Sequence, residues 1–499
     1  MAITGGANLN SVPAPLPQAL ASNYLDFTGT TDTTWAQQYL PDLMEQEAEV
    51  FGPRTISGFL AQVGAEEAMT ADQVVWSEQG RLHLSYRGHC ESATGGTASG
   101  GQIEIEVDID GNDIGANHGI RVNDTVIVAS SQGVVRCLVE AVDTGSMIDV
   151  LPYDFASLNT AGLTTTGGTQ DLTILVYGSE FGKGDSYNNA ANSAATDQRG
   201  ANEPSFQTFT NKPIILKDYY AVSGSDTARI GWVEVAAEDG TSGYLWYLKA
   251  EADTRARFTD YLEMSMLESE LNLVASQIDG NALVSGSAAG AGNVGTEGLF
   301  AAIESRGNVS SGITGGGADL AEFDAILAEF DSQGAIEENM MFLNRATALA
   351  VDDMLASMNS YGASGTSYGV FDNSEDMALN LGFSGFRRGS YDFYKSDFRY
   401  LNDAATRGGI NAANTASAIR GVFIPAGTST VYDQMLGKNM KRPFLHVRYR
   451  ASQTDDRRMK TWVTGSVGAA TSALDAMEIH MLSERCLVTQ GANNFMMLT

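Results

Sequence analysis

Between Leu245 and Ile278 the chain runs for 34 residues, LWYLKAEADTRARFTDYLEMSMLESELNLVASQI, without a proline or a glycine. Tyr261, Met264, Leu267, Leu271, Val274 and Ile278 recur at steps of three and four, the spacing that lines one face of an α-helix. Glu251 precedes Arg255 by four residues, as Asp253 precedes Arg257, the acid-first order that favours pairing along a helix. The stretch predicts one unbroken helix over 245–278, about 50 Å long at 1.5 Å per residue. A rod of that length serves as a spine that ties separate parts of a chain together, although an ordinary core helix has the same periodicity.

The length of 499 residues suggests about three domains. Thirty Lys and Arg stand against 61 Asp and Glu, a formal charge of −31. A field of that sign repels nucleic acid and anionic membranes, so direct DNA binding is disfavoured unless basic residues cluster. No apolar run of 18 residues is present to span a bilayer, and MAITGGANLNSVPAPLPQAL lacks the basic start and apolar core of a signal peptide. The expectation is a soluble chain made in a cytoplasm, with no membrane association. Cys90, Cys137 and Cys486 are too widely spaced for a disulfide framework or a zinc motif and read as small buried hydrophobes.

Along the chain, residues 1–35 read as an extended arm carrying Pro13, Pro15 and Pro17. Short helical patterning follows at 34–51, an ordered piece at 56–63, and a strand-like segment at 73–86 with a turn at Gln79-Gly80. From Gly88 to about Gly200 the character is that of short strands. Ile103, Ile105, Val107 and Ile109 alternate with Gln102, Glu104, Glu106 and Asp108, one dry face and one wet. Strands at 125–129, 134–142, 147–151 and 172–177 complete a small all-β unit, and the polar stretch 184–207 reads as a linker. Ile214–Val222 and Ala228–Val235 predict a hairpin turning at Ser223-Gly224 and feeding the long helix. Beyond it come a short helix at 296–305, an amphipathic helix at 318–331, a strand at 340–343 and a helix at 347–358. Strands are also predicted at 421–425, 445–449 and 477–481. The apolar ending CLVTQGANNFMML predicts a terminal segment docked in a sheet.

Few of the chemical motifs sit in the context that their chemistry requires. GAGNVG, with Gly290, Gly292 and Gly295, fits the dinucleotide fingerprint, but SGSAA precedes it where a buried strand is required, so it reads as a flexible loop. DIDGND at Asp108–Asp113 lacks the sixth-place Gly and twelfth-place Glu of a calcium loop and reads as a surface turn, open at most to an adventitious cation. His89 beside Cys90 becomes suggestive only if His118 or Cys137 approaches. The five histidines are otherwise scattered, and neither HExxH, CxxC nor GxSxG occurs. The expectation is no enzyme, no cofactor and no metal.

One cluster departs from background. Eight of the 30 basic residues fall between Lys438 and Lys460: Lys438, Lys441, Arg442, Arg448, Arg450, Arg457, Arg458 and Lys460. A solvated basic face is the plain reading. In so acidic a chain, Lys441, Arg442, Arg448, Arg450, Arg457, Arg458 and Lys460 are also candidates for a patch that contacts an acidic surface of an identical subunit. Nucleic acid is the second candidate partner.

The order of parts resembles that of the major capsid proteins of tailed bacteriophages, the HK97 fold. The segments that carry the resemblance are QQYLPDLMEQEAEVFGPRTISGFL, the stretch Ile214–Val235 entering WYLKAEADTRARFTDYLEMSML, EENMMFLNRATALAVDDMLASM, and MEIHMLSERCLVTQGANNFMML. The likeness lies in their order, and extends to a crAss-like or other large phage lineage. It implies an α+β chain with an N-terminal arm at 1–70 and an extended loop at 71–87 and 203–245. A β-rich insertion domain follows at 88–202, a peripheral domain with the spine helix at 246–359 and 471–499, and an axial domain at 360–470. It implies a capsid protein that assembles in the host cytoplasm as hexamers and pentamers into an icosahedral shell. Portal, separate scaffolding and decoration proteins would be its partners, and DNA would be enclosed without sequence-specific binding. The alternative is another β-rich virion component, of a tail or an adhesion structure. A hydrolase using the acidic residues is the remaining reading.

Overall fold

The structure is a computed structural model that describes residues 65–78, 80–92, 100–114, 117–143, 146–163, 171–184, 207–227, 234–236, 242–272, 295–313, 319–334, 336–358, 385–426, 428–433, 438–466 and 471–499. The expected arm, the patterning at 34–51 and the piece at 56–63 lie outside these residues, as does most of the expected linker. The chain is of the α+β class and divides into two compact units, Ser77–Thr208 and the rest.

The first unit is a closed antiparallel barrel. Its six strands run Ser85–Ser92, Gln102–Asp108, Met147–Pro152, Gly133–Val142, Asp124–Ser130 and Leu172–Ser179, the last returning to the first. The alternation in Gln102–Asp108 decides which face is inside: Ile103, Ile105 and Val107 are buried, and Glu104 and Glu106 point outward. Val126, Val128, Val139, Ile148, Val150 and Ile174 fill the interior with them. Each such side chain removed from water contributes about 1.5–3 kcal/mol. Ser130 and Gly133 are opposed in register, so two residues turn that hairpin. A register shift falls between Arg87 and Gly88, where a Cβ on Gly88 would collide with the Glu104 carbonyl oxygen. Closing the sheet leaves no free edge.

In the second unit the expected rod is shorter than predicted. The helix runs from Leu245 to Glu268, about 36 Å. Its end is set by residues remote in sequence. Gly298 N donates to Ser269 O at 2.7 Å, and Leu271 forms a β-bridge with Gly295. Gly295 has φ +69°, and a Cβ there would strike the Glu270 carbonyl oxygen. The buried stripe is Phe258, Leu262 and Met266, with Leu267 beside it, while Tyr261 is 45% exposed. The buried face is offset from the expected one because the helix stops at Glu268, so Leu271 does not share it. Glu251 accepts from Arg255 at 3.0 Å as predicted, and Arg257 donates to Asp218 at 3.3 Å.

Of the expected hairpin of Ile214–Val222 with Ala228–Val235, residues 228–233 lie outside the described residues, and both flanking pieces have other partners. Strand Ile214–Ser223 pairs over ten residues with Ala476–Thr489, and Gly224–Thr227 is helical. Glu234–Ala236 pairs instead with Ser242–Tyr244. The strand Ala476–Thr489 organises one sheet. Leu445–Arg450 and Lys460–Gly465 follow one another along its other edge, and Ala65–Met69 adds in parallel to Leu445–Arg450. The strand-like segment 73–86 contains strand Val74–Glu78 and the start of Ser85–Ser92; Val74–Glu78 pairs with Gln207–Asn211, and Trp76 and Phe209 stand 6.2 Å apart.

A second, six-stranded sheet has the order 308–310, 496–498, 421–425, 338–343, 391–397, 385–388. Met496–Leu498 lies inside it, so the apolar ending is docked as expected. Helices Asp319–Gln333 and Arg345–Met358 supply Phe323, Ile326, Phe330, Val351 and Met354 to a core shared with Phe393 and Phe423 of this sheet. The sheet takes strands from both sides of residue 360, because its pairings are long-range. Among the described residues no helix is long and apolar enough to cross a membrane.

Candidate assembly surface

The basic segment meets acids of its own chain. Arg448 Nη2 lies 2.8 Å from Glu67 Oε2. Arg450 pairs with Asp72 and, at 3.0 Å, with Glu484, and Arg457 reaches the other oxygen of Glu484 at 3.1 Å. Arg458 pairs with Glu66, and Lys460 Nζ lies 2.6 Å from Asp455. Two chain features produce this arrangement. Strand Ala65–Met69 has Glu67 in register with Arg448, and the buried Glu484 of the long strand sits between two guanidinium groups. The hydrogen bond that Arg450 donates to Asp72 holds the Arg450 pKa above its usual value. Arg485, on the same strand, has its pKa lowered by burial. Lys441 and Arg442 stand apart from this network in the chain, on strand Lys438–Pro443, where they oppose Thr430 and Ser429 of Thr428–Asp433.

The same sheet carries a feature that periodicity in the sequence could not reveal. Leu216 and Met481 lie under Phe258 and Leu262 of the central helix, so that face is covered. On the opposite face, Tyr219, His480 and Trp462 stand in register across three strands. The rings of Tyr219 and His480 stack at 6.1 Å, and those of Trp462 and His480 at 5.2 Å. His480 Nε2 also meets Thr464 Oγ1 at 2.7 Å. Tyr219 is 61% exposed, Trp462 36% and Ile215, on the same face, 52%. The three rings lie on strands distant in sequence, and only the pairing aligns them.

The other sequence candidates resolve into structural roles. Asp108 accepts from the Asn112 backbone N–H at 2.8 Å and from its side chain at 3.0 Å, closing the DIDGND turn. Of the GAGNVG glycines only Gly295 lies within the described residues, where it abuts the end of the helix. Neither His118 nor Cys137 joins His89. His118 packs edge-on against Tyr86, and Cys137 lies in the barrel interior. All three cysteines are buried free thiols, as expected. Burial pushes the Cys90 thiol up to about 11, and those of Cys137 and Cys486 up to about 12, so none is a nucleophile near neutral pH.

No protein-family model and no curated protein matches the sequence. Among solved structures, one from Microbacterium phage Oxtober96 is similar at 10% identity and TM-score 0.36, over 92% of this chain and 96% of that one. The capsid of a native GTA particle is similar at 9% identity and TM-score 0.34, over 96% and 99%. The capsid of cyanophage P-SCSP1u is similar at 8% identity and TM-score 0.30, over 62% and 79%. The chain bears a distant likeness to capsid structures.

Proposed function

We propose that this chain is a major capsid protein of a tailed phage, which associates with identical copies as hexamers and pentamers to close a shell around DNA. The observation that carries the reading is the Tyr219, His480 and Trp462 row with Ile215, an aromatic face left open on a sheet whose other side is covered. Exposed contiguous apolar area of this kind marks association surfaces, and aromatic residues dominate the energy of such contacts. In this reading 1–70 is the arm, 71–87 with 203–245 the extended loop, 88–202 the insertion domain, and 246–359 with 471–499 the peripheral domain. The axial domain is then 360–470. The cations from Lys441 to Lys460 contribute to contacts between subunits, with register set by charge. Portal, scaffolding and decoration functions belong to other chains. The net charge of −31 suits a wall that leaves packaged DNA free to slide.

Negative-stain microscopy and light scattering of the purified chain test this directly. Shells or capsomers are expected from the native protein, with assembly reduced in Trp462→Ala and Tyr219→Ala. A species that stays monomeric at all concentrations, with or without co-expressed phage assembly factors, overturns the proposal.

A further inference from the structure

On the outer face of the barrel one imidazole stands among three carboxylates. His89 and Glu91 are two apart on strand Ser85–Ser92 and project on the same side. Glu104 opposes His89 in register on strand Gln102–Asp108, and Glu106 lies two residues further along. Cys90, between the first pair, points the other way into the core. The His89 side chain is only 6% exposed. Its Nδ1 lies 3.0 Å from Glu106 Oε1, and its Nε2 lies 3.2 Å from Glu91 Oε2 and 3.6 Å from Glu104 Oε2.

A neutral imidazole has one N–H and one lone pair. With Nδ1–H donated to Glu106, the buried Nε2 lone pair faces two carboxylate oxygens that have no hydrogen to give it. Three carboxylates converging on one buried ring call for a positive charge, which either a second proton on the imidazole or a cation between Nε2 and the carboxylates supplies. The spacing indicates where it sits. Ligand atoms held tetrahedrally at bonds of about 2.0–2.1 Å stand roughly 3.3–3.4 Å apart. The distances from Nε2, 3.2 and 3.6 Å, bracket that edge. Glu106 occupies the position of the carboxylate that fixes the tautomer of a metal-bound histidine and raises its basicity.

We propose that His89 Nε2, Glu91 and Glu104 bind a divalent ion of the zinc class, with Glu106 orienting the imidazole. One nitrogen and two carboxylates suit zinc and its first-row neighbours, whereas magnesium and calcium favour all-oxygen shells. Glu91 is exposed, which leaves the ion a path from solvent and a remaining position for water. The ion ties strand Ser85–Ser92 to Gln102–Asp108 between the two register shifts of that pairing. The inference needs only the barrel and is independent of the capsid reading.

The test uses the full chain freed of metal by a chelator, titrated with Co²⁺ followed by visible absorption and then with competing Zn²⁺. One ion per chain with tetrahedral absorption is expected, together with a higher thermal midpoint on adding Zn²⁺. Glu106→Gln is expected to weaken binding about 10–100-fold. Glu91→Gln, at an exposed position, removes a ligand without disturbing the core and is expected to abolish the tetrahedral signal. His83→Gln, at an exposed histidine elsewhere, serves as the control that leaves binding intact. Absence of stoichiometric binding overturns the proposal, as does binding unchanged in Glu91→Gln. So does nitrogen NMR showing His89 as a doubly protonated imidazolium that Zn²⁺ does not displace.

Discussion

Tyr400 donates its hydroxyl hydrogen to Glu268 at 2.8 Å, joining the last residue of the central helix to a residue 132 positions further on. Arg407 Nη1 takes the second carboxylate oxygen at 2.8 Å. Burial, reinforced by that carboxylate, raises the Tyr400 pKa. Glu268→Ala leaves a buried hydroxyl and a half-buried guanidinium without their acceptor, at an expected cost of about 2–3 kcal/mol. None of the five tryptophans of the sequence falls within Ser77–Thr208, the span of the barrel unit. Urea denaturation followed by tryptophan fluorescence therefore reads this loss specifically, and an unchanged midpoint counts against the link.

Asn211 is buried, with every side-chain hydrogen-bonding atom engaged. Its Nδ2 donates to Leu487 O at 2.6 Å and Glu297 O at 3.0 Å, and its Oδ1 accepts from Glu297 N at 2.9 Å and Thr296 Oγ1 at 3.0 Å. Asn211→Ala orphans several buried groups and is expected to destabilise by about 2–4 kcal/mol, since each costs roughly 1–3 kcal/mol unpaired. Asn211→Asp also replaces a donor with a charge, and its midpoint should fall at least as far.

Gly295→Ala tests what ends the helix. A Cβ meets the Glu270 carbonyl at a backbone angle that L-residues avoid. The expected loss is about 1–3 kcal/mol, read by the same fluorescence transition, with the helix signal in circular dichroism retained up to that transition.

The Arg388 guanidinium hydrogen-bonds both oxygens of Asp324 and holds its carboxyl pKa below the ordinary value. A depressed carboxylate stabilises the fold above its unfolded pKa and ceases to do so as pH falls through the folded one. The contribution is thus present at neutral pH and disappears below about pH 4. Both side chains are solvent-accessible, so the effect is small. Asp324→Asn is expected to flatten the acid limb of the stability profile slightly while leaving the slope above pH 6 unchanged.

The thiols run the opposite way. With folded pKa values raised to about 11 or 12, the buried cysteines favour the fold below their unfolded values, and that contribution falls as pH rises toward 11–12. A thiol reagent at pH 8 is expected to label none of the three rapidly in the native protein and all three in denaturant. Rapid native labelling at any one of them contradicts its burial.

What could be read from the sequence was local. Ile103, Ile105 and Val107 declared their strand because a period of two is written in adjacent residues, and Phe323 and Phe330 declared a helix the same way. The end of the central helix was not legible, since Gly295 and Gly298 lie more than 20 residues beyond it and act only after folding. The pairing of Ile214–Ser223 with Ala476–Thr489 was not legible for a similar reason: the two strands lie more than 250 residues apart. The basic run at 438–460 was visible as charge, yet Glu66, Glu67, Asp72 and Glu484 come to it from other segments. His89 and Cys90 are adjacent in sequence, but alternation sends the two to opposite sides of one strand and makes Glu104 the relevant neighbour.

Trp76 and Phe209, 6.2 Å apart, frame the doorway through which the chain departs into the barrel and comes back. Because exit and return are side by side, a short peptide can bridge them, and any foreign module whose own ends lie close together can be spliced in their place. The barrel is in this sense a replaceable cassette, free to be exchanged without rewriting the registers of the sheets that remain.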